Sequence, residues 1–202
     1  MTVEAEIKAR VRDPEHVRAL LAERAVEQRQ TYRDRYFDWP SSSLDAQGYE
    51  VRLRTVDSGT SSQTVLTFKE PPVHDSGSKP EHETSLDDGE PVAALVSTLG
   101  LVECIAFSKH CRNYRFTEQG RELLATLVHV PELDGTFLEV ETLVADEDAV
   151  SAGLEVVRSV LAGLGVVEGD LTTDTYTGAV AAQRSTDGPA MSQCRAPRRS
   201  RP

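Results

Sequence analysis

The chain has 202 residues, of which 39% are hydrophobic and 27% charged, and its formal net charge is −11. This size suits one large domain, and no apolar run reaches the roughly 18 residues that a membrane span requires. The acidic balance disfavours a nucleic-acid polymer as partner, because polymer binding depends on a basic surface. No secretory signal is recognisable, and the three cysteines form no CxxC pair. We therefore expect a cytoplasmic protein without membrane contact, disulfide framework or thiolate zinc site.

Charge is unevenly distributed along the chain. Residues 184–202 contain five arginines and one aspartate, so the part before them is near −15. This segment is rich in Ser, Pro, Gly and Arg and has no apolar periodicity, which is typical of disorder. We predict one folded domain over residues 1–180 and a disordered basic tail over 181–202.

The first predicted strand runs from Val3 to Ala9, where apolar and charged residues alternate. One of its faces carries Glu4, Glu6 and Lys8, so both signs of charge stand together. Polar or charged residues at alternate positions recur in four later segments, at Glu50, Arg52 and Arg54, at Thr67 and Lys69, at Glu81 and Glu83, and at Glu139 and Glu141. A single such face could be solvated, but five of them indicate a shared polar interior.

Three helices are predicted among the strands. The first begins at Asp13-Pro14-Glu15, the second covers about 91–99, and the third runs from about Asp146 to Gly165. Turn-forming residues separate predicted strands near 2–11, 30–38, 48–56, 62–70, 80–86, 101–107, 109–117, 122–130 and 135–144. Short links between neighbours favour antiparallel pairing.

A sheet with one apolar and one charged face has two outcomes. The charged face stays in water, or the sheet closes into a barrel with a hydrated channel and helices over its apolar exterior. We favour closure, because it explains why acids and bases share strand faces. The candidate interior groups are the bases Lys8, Arg52, Arg54, Lys69, Lys109 and Arg112 and the acids Glu4, Glu6, Glu81, Glu83, Glu139 and Glu141. Enclosed charges need counter-charges, which predicts one subsite for a phosphate-rich anion and one for divalent cations.

The ordered segments resemble the CYTH superfamily, also called triphosphate tunnel metalloenzymes. The segment Glu4-Ala5-Glu6-Ile7-Lys8 is similar to its ExExK signature. Further matches, in order, are 51–54 to an RxR strand, 66–69 to LTxK, 79–83 to R/K-x-E-x-E, 109–114 to KxxR-x-Y, 135–141 to GTFxExE and 174–176 to a closing S/T-Y. The segments LTFKEP and GTFLEVE are most similar to the class IV adenylyl cyclase and thiamine triphosphatase branch of this superfamily.

The resemblance implies an α+β fold, an eight-stranded antiparallel β-barrel with flanking helices. Its tunnel would bind Mg²⁺ or Mn²⁺ through Glu4, Glu6, Glu139 and Glu141. The implied substrate-binding residues are Lys8, Arg52, Arg54, Lys69, Lys79, Lys109 and Arg112. The implied catalytic residues are Lys8, Glu81, Glu83 and His129. The implied substrate is a small triphosphate, namely tripolyphosphate, ATP or thiamine triphosphate, and the state of the protein as monomer or homodimer stays open.

His129 departs from the family pattern, which usually has an acidic residue on the strand before GTFxExE. Asp134, in the loop that follows, is the alternative acid. If His129 faces the tunnel, imidazole chemistry would favour Mn²⁺ over Mg²⁺.

Three functions follow from the resemblance. The first is a metal-dependent phosphohydrolase, which needs only the tunnel residues. The second is a class IV adenylyl cyclase, which also needs a base pocket, for which Tyr36, Phe37 and Trp39 are candidates. The third is a non-catalytic protein that binds polyphosphate or a nucleotide.

Overall fold

The computed structural model describes residues 3–73 and 78–187. Within these ranges the strands are β1 (Val3–Val11), β2 (Gln28–Asp38), β3 (Glu50–Asp57), β4 (Ser62–Lys69), β5 (Lys79–Leu86), β6 (Val102–Glu118), β7 (Arg121–His129) and β8 (Thr136–Val144). The helices are α1 (Pro14–Ala22), α2 (Glu90–Thr98), α3 (Val150–Gly163) and α4 (Tyr176–Asp187). None of the helices in the described ranges is both long and apolar enough to cross a membrane.

The strands form a closed barrel in the order β1-β5-β4-β3-β2-β6-β7-β8. Every pairing in it is antiparallel, and β1 closes the barrel against β8 over nine residue pairs. The predicted eight-stranded antiparallel barrel with flanking helices is confirmed. The predicted strands 101–107 and 109–117 are one strand, β6, because Ser108 continues the ladder opposite Arg33.

Helices cover the apolar outer face of the barrel, as the alternation predicts. Buried residues of α1 and α3 pack on outward residues of β1, β6, β7 and β8 to form the main core. Gly153 brings α3 close to the sheet, since an added Cβ there would lie 3.0 Å from Val144 and 3.2 Å from Ala5. A smaller core places α2 over Phe37 and Leu53.

Helix α4 closes one end of the barrel. Tyr176 and Val180 are buried in an apolar cluster with Phe137 and other aromatic residues of the strands. Arg184 fixes the helix, donating to both carboxylate oxygens of Glu132 at 2.6 and 2.9 Å. The prediction of a disordered tail is therefore wrong for residues 181–187, where the helix continues and Arg184 pairs with Glu132. The rest of the predicted tail, 188–202, lies outside the described residues.

Candidate active site

Strand alternation and register decide which side chains line the tunnel. Residues directly opposite each other on paired strands share a face, and these pairs run continuously around the barrel. The tunnel face so defined gathers twelve of the predicted site residues, namely Glu4, Glu6, Lys8, Arg52, Arg54, Lys69, Lys79, Glu81, Glu83, Lys109, Glu139 and Glu141. Their roles as ligands stay predictions.

An acidic cluster lies where β1 meets β8. Carboxylate oxygens of Glu4, Glu6 and Glu141 lie within 4.8 Å of one another. Glu6 and Glu141 are directly opposite in the ladder, a position in which two like charges are destabilising. Glu139, which is opposite Lys8 in the ladder, adds a further negative charge near Glu6. This cluster has the oxygen donors that a hard divalent cation needs.

The cluster perturbs its own protonation. Burial, with the charges of Glu139 and Glu4, raises the pKa of Glu6 from 4.5 to about 8. Burial and the charges of Glu4 and Glu6 also raise the pKa of Glu141 well above its usual range. Burial acts in the same direction on Glu4, but Lys69 overrides it and lowers the pKa of Glu4 to about 2. Without a cation, therefore, two of these carboxyl groups are held protonated near neutral pH.

The opposite wall of the tunnel is basic. Arg52 donates from Nη2 to Thr67 Oγ1 at 3.2 Å, and the same nitrogen lies 3.6 Å from Glu81 and 3.8 Å from Glu83. Its buried Nε has no hydrogen-bond partner within residues 3–73 and 78–187. A buried donor without a partner carries a desolvation cost, which an anion in the tunnel would relieve.

Lys69 joins the two walls. Its ammonium group donates to Glu4 and lies 3.5 Å from Glu81. Burial and the charge of Glu4 raise the pKa of Glu81, and Lys69 opposes them. The net result is a rise from 4.5 to about 7. Glu81 is thus the tunnel carboxyl group whose protonation is balanced near neutral pH. Glu83 is nearer solvent, with 51% of its side chain exposed.

Asp34 is a tunnel residue that the sequence analysis missed. Arg54 donates to both of its carboxylate oxygens, at 2.7 and 2.8 Å, and Lys109 Nζ lies 3.7 Å away. Burial opposes ionisation of Asp34, but Arg54 and Lys109 hold its pKa well below its usual range. Asp34 therefore positions Arg54 and neutralises part of the basic wall. The predicted strand 30–38 contained this residue, but its pairing with Arg54 depends on long-range register.

Two lysines meet at the end of the tunnel that α4 closes. The ammonium groups of Lys8 and Lys109 lie 4.5 and 4.2 Å from the ring centroid of Tyr176. Lys8 also donates to the backbone oxygen of Asp174. These cation–π contacts stabilise the lysines where they can still face the tunnel. The opposite end is more open, because a cavity of about 550 Å³ at the β6–β7 hairpin reaches Glu141.

Two predicted site residues lie outside the tunnel. Arg112 is three residues from Lys109, an odd spacing that puts the two on opposite faces of β6, and it donates to Glu27 at 2.7 Å. His129 is exposed on the outer face of β7, where its ring stacks on that of His110 at 6.2 Å. The prediction that these two residues act from within the tunnel is therefore wrong as to their position. Asp134 is exposed in the loop before β8.

The aromatic residues suggested for a base pocket do not meet. Tyr36 stacks on Phe107 at 5.7 Å inside the barrel, whereas Phe37 packs beneath α2 on the outside. Trp39 is 39% exposed and lies against Gly100. The arrangement offers no common pocket formed by Tyr36, Phe37 and Trp39.

Comparison with known proteins agrees with the fold. The structure is similar to the PH1819 protein of Pyrococcus horikoshii OT3, with a TM-score of 0.78, 23% identity, and coverage of 90% of this chain and 99% of that one. It is also similar to a Vibrio parahaemolyticus protein described as a candidate adenylate cyclase, with a TM-score of 0.74, 18% identity and coverage of 89% and 97%. For HpAC1 from Hippeastrum the TM-score is 0.61, with 17% identity and coverage of 90% and 96%.

Sequence comparison is more specific. No curated protein matches the chain. The family model of the CYTH domain matches residues 2–176, which include all the tunnel residues described above. The chain therefore belongs to the CYTH domain family.

Proposed function

We propose that this protein is a metal-dependent phosphohydrolase that cleaves a small triphosphate inside the barrel tunnel. The observation that carries the proposal is the division of the tunnel into an acidic cluster, Glu4, Glu6 and Glu141, and a basic wall with an unsatisfied donor on Arg52. An anion that brings its own cations satisfies both walls at once. A triphosphate with Mg²⁺ or Mn²⁺ is such a ligand.

The acidic cluster fits a divalent cation. Glu4, Glu6 and Glu141 would hold the ion, with Glu139 beside them, since Mg²⁺ and Mn²⁺ prefer oxygen donors. When bound, the ion supplies neutralisation and orientation of the phosphate oxygens. With the repulsion between the carboxylates offset in this way, Glu6 and Glu141 would be ionised.

The basic wall would bind the phosphate chain. Arg52 offers its Nε, which has no hydrogen-bond partner in the described part of the chain, and Arg54 is held in place by its paired contact with Asp34. Lys69 and Lys109 stand on either side of these arginines in the tunnel face. Charge-assisted hydrogen bonds from such groups are about twice as strong as neutral ones and fix the chain in one orientation.

Glu81 is the proton acceptor that we infer for hydrolysis. A water oxygen attacks the terminal phosphorus, the bond to the bridging oxygen breaks, and the electron pair leaves with the remaining diphosphate. The proton of the attacking water passes to the Glu81 carboxylate. Burial, the largest cause, raises the pKa of Glu81 to about 7 in the tunnel without a cation, so this group is a stronger base than an ordinary carboxylate.

Two observations favour hydrolysis over cyclisation. A cyclase must position a ribose 3′-hydroxyl and therefore a base, but Tyr36, Phe37 and Trp39 occupy three different environments. Among the similar structures, HpAC1 is described as having a dominant triphosphatase activity. Both facts support water as the nucleophile.

Product analysis tests the proposal. The pure protein is incubated with tripolyphosphate, ATP or thiamine triphosphate, with Mg²⁺, Mn²⁺ or excess chelator, and the products are separated by ion exchange. We expect cation-dependent release of terminal phosphate. Cyclic AMP with pyrophosphate would make the protein a cyclase, and tight binding without any product would make it a non-catalytic binding protein.

A further inference from the structure

A second cavity lies on the outside of the barrel, beyond the tunnel wall. It has a volume of about 610 Å³. It is bounded by the start of α1, the start of β2, the β3–β4 turn and the middle of β6, with lining residues that include Arg18, Arg29, His110, Arg112 and His129. We call these five residues the outer pocket. Both residues wrongly assigned to the tunnel, Arg112 and His129, belong to it.

Three arginines of this region converge on one carboxylate. Glu27 accepts from Arg18 Nε at 2.8 Å, from Arg29 Nε at 2.6 Å and from Arg112 Nη1 at 2.7 Å. It also accepts from the buried Tyr114 hydroxyl at 2.6 Å. Burial opposes ionisation of Glu27, but these hydrogen bonds hold its pKa well below its usual range. One negative charge thus faces three guanidinium groups.

Two carboxylates line the cavity beside these arginines. Glu15 lies 3.3 Å from Arg18, and Asp57 lies 3.4 Å from Arg33, which is not among the residues that line the cavity. Counted together with Glu27, these carboxylates balance the three arginines. The attraction of the cavity for an anion therefore depends on its guanidinium donors and not on a net charge.

The two strand arginines have more donors than Glu27 uses. Arg29 and Arg112 are directly opposite each other on β2 and β6, where like charges are destabilising. Each of them makes one hydrogen bond to Glu27, although a guanidinium has five N–H donors in a planar fork. The adjacent row on the same face places His110 directly opposite His129, adding imidazole donors to the wall. Donors of this kind, aimed at one cavity, match the oxygens of a phosphate group.

We propose that the outer pocket binds a small phosphate-bearing anion, independently of the tunnel. The ligand would sit against the open sides of Arg29 and Arg112, with His110 and His129 at its edge, and Glu27 would stay in place to hold the arginines. Free phosphate and a phosphate monoester present the same oxygens to this pocket. The proposal does not depend on the reaction in the tunnel.

Histidine NMR on the metal-free full-length protein tests the site locally. The Cε1–H resonances of His110 and His129, assigned with His110→Gln and His129→Gln, are followed while inorganic phosphate is added at constant pH and ionic strength. A second titration uses glycerol 3-phosphate. We expect both resonances to shift saturably, and the tighter of the two probes identifies the ligand as free phosphate or a monoester.

Variants decide whether the arginines are responsible. Arg29→Gln and Arg112→Gln should each raise the dissociation constant for the phosphate probe about tenfold, as expected for a lost charge-assisted contact. Arg158→Gln, which removes an exposed arginine of α3 paired with Glu168, is the matched control and should change nothing. Arg29 is 68% exposed, so its variant should fold even if Arg112→Gln does not. Linear shifts equal to those caused by sodium chloride, or unchanged affinity in Arg29→Gln, would overturn the proposal, whatever the tunnel does.

Discussion

Replacing Glu6 by glutamine should have opposite effects on stability with and without a divalent cation. In the metal-free protein, burial and the charges of Glu139 and Glu4 raise the pKa of Glu6 to about 8. A folded-state pKa above the unfolded value means that stability is fully present below about pH 4.5 and is lost as the pH rises through 8. Glutamine keeps the shape of the protonated acid and does not titrate, so it removes this loss.

The size of the effect follows from the pKa difference. A pH of 7 is about 2.5 units above the ordinary pKa of Glu6. Each unit corresponds to about 1.4 kcal/mol of folding stability, so the total is roughly 3 kcal/mol. Because Glu141 and Glu4 share the repulsion, we expect a gain of about 1–3 kcal/mol for Glu6→Gln without metal. For a domain of this length that raises Tm by about 3–10 °C.

Thermal unfolding with and without Mn²⁺ measures this directly. In chelator at pH 7, Glu6→Gln should melt above the wild type, and the two should converge as the pH falls toward 4.5. With saturating Mn²⁺ the wild type should gain stability and the variant should gain much less. Glu155→Gln, at an exposed position of α3, is the control for loss of one negative charge. A metal-free variant less stable than the wild type, or an equal gain from Mn²⁺ in both proteins, would refute the cluster as a cation site.

Three further predictions concern single residues. Arg52→Ala should weaken tripolyphosphate binding about tenfold in calorimetry, since one charge-assisted contact is worth about 1.5–3 kcal/mol, and equal affinity would place Arg52 outside the binding site. Arg54→Ala should lower the free energy of unfolding by about 3–5 kcal/mol, because it leaves Asp34 buried without its main partner, and Asp34→Asn in the same chain should recover most of this loss in denaturant titrations. His129→Asp should leave the preference between Mg²⁺ and Mn²⁺ unchanged in turnover assays, because His129 lies on the outer face of β7, and a shift toward Mg²⁺ would contradict that placement.

Much of the barrel could be predicted from alternation alone. Glu4, Glu6 and Lys8 share a face in any strand, and so do Glu139 and Glu141. The sequence alone therefore predicts that these carboxylates lie on the polar face of the sheet. Arg112 departs from the position that the motif implies, because its odd spacing from Lys109 puts the two side chains on opposite faces of β6. Strand alternation specifies the face on which a side chain lies, whereas a motif match does not.

Long-range features could not be obtained in this way. The contact between Asp34 and Arg54 depends on the register of β2 against β3, which no local pattern specifies. The position of Tyr176 over Lys8 and Lys109 depends on where α4 docks on the barrel, far along the chain from both lysines. The convergence of Arg18, Arg29 and Arg112 on Glu27 likewise joins a helix and two strands.

Anomalous scattering from crystals grown with Mn²⁺ and an imido analogue of tripolyphosphate tests the central claim most directly. The account predicts a manganese peak between Glu4, Glu6 and Glu141, with phosphate oxygens against Arg52 and Arg54. Manganese located elsewhere, or an analogue bound outside the tunnel face, would contradict it.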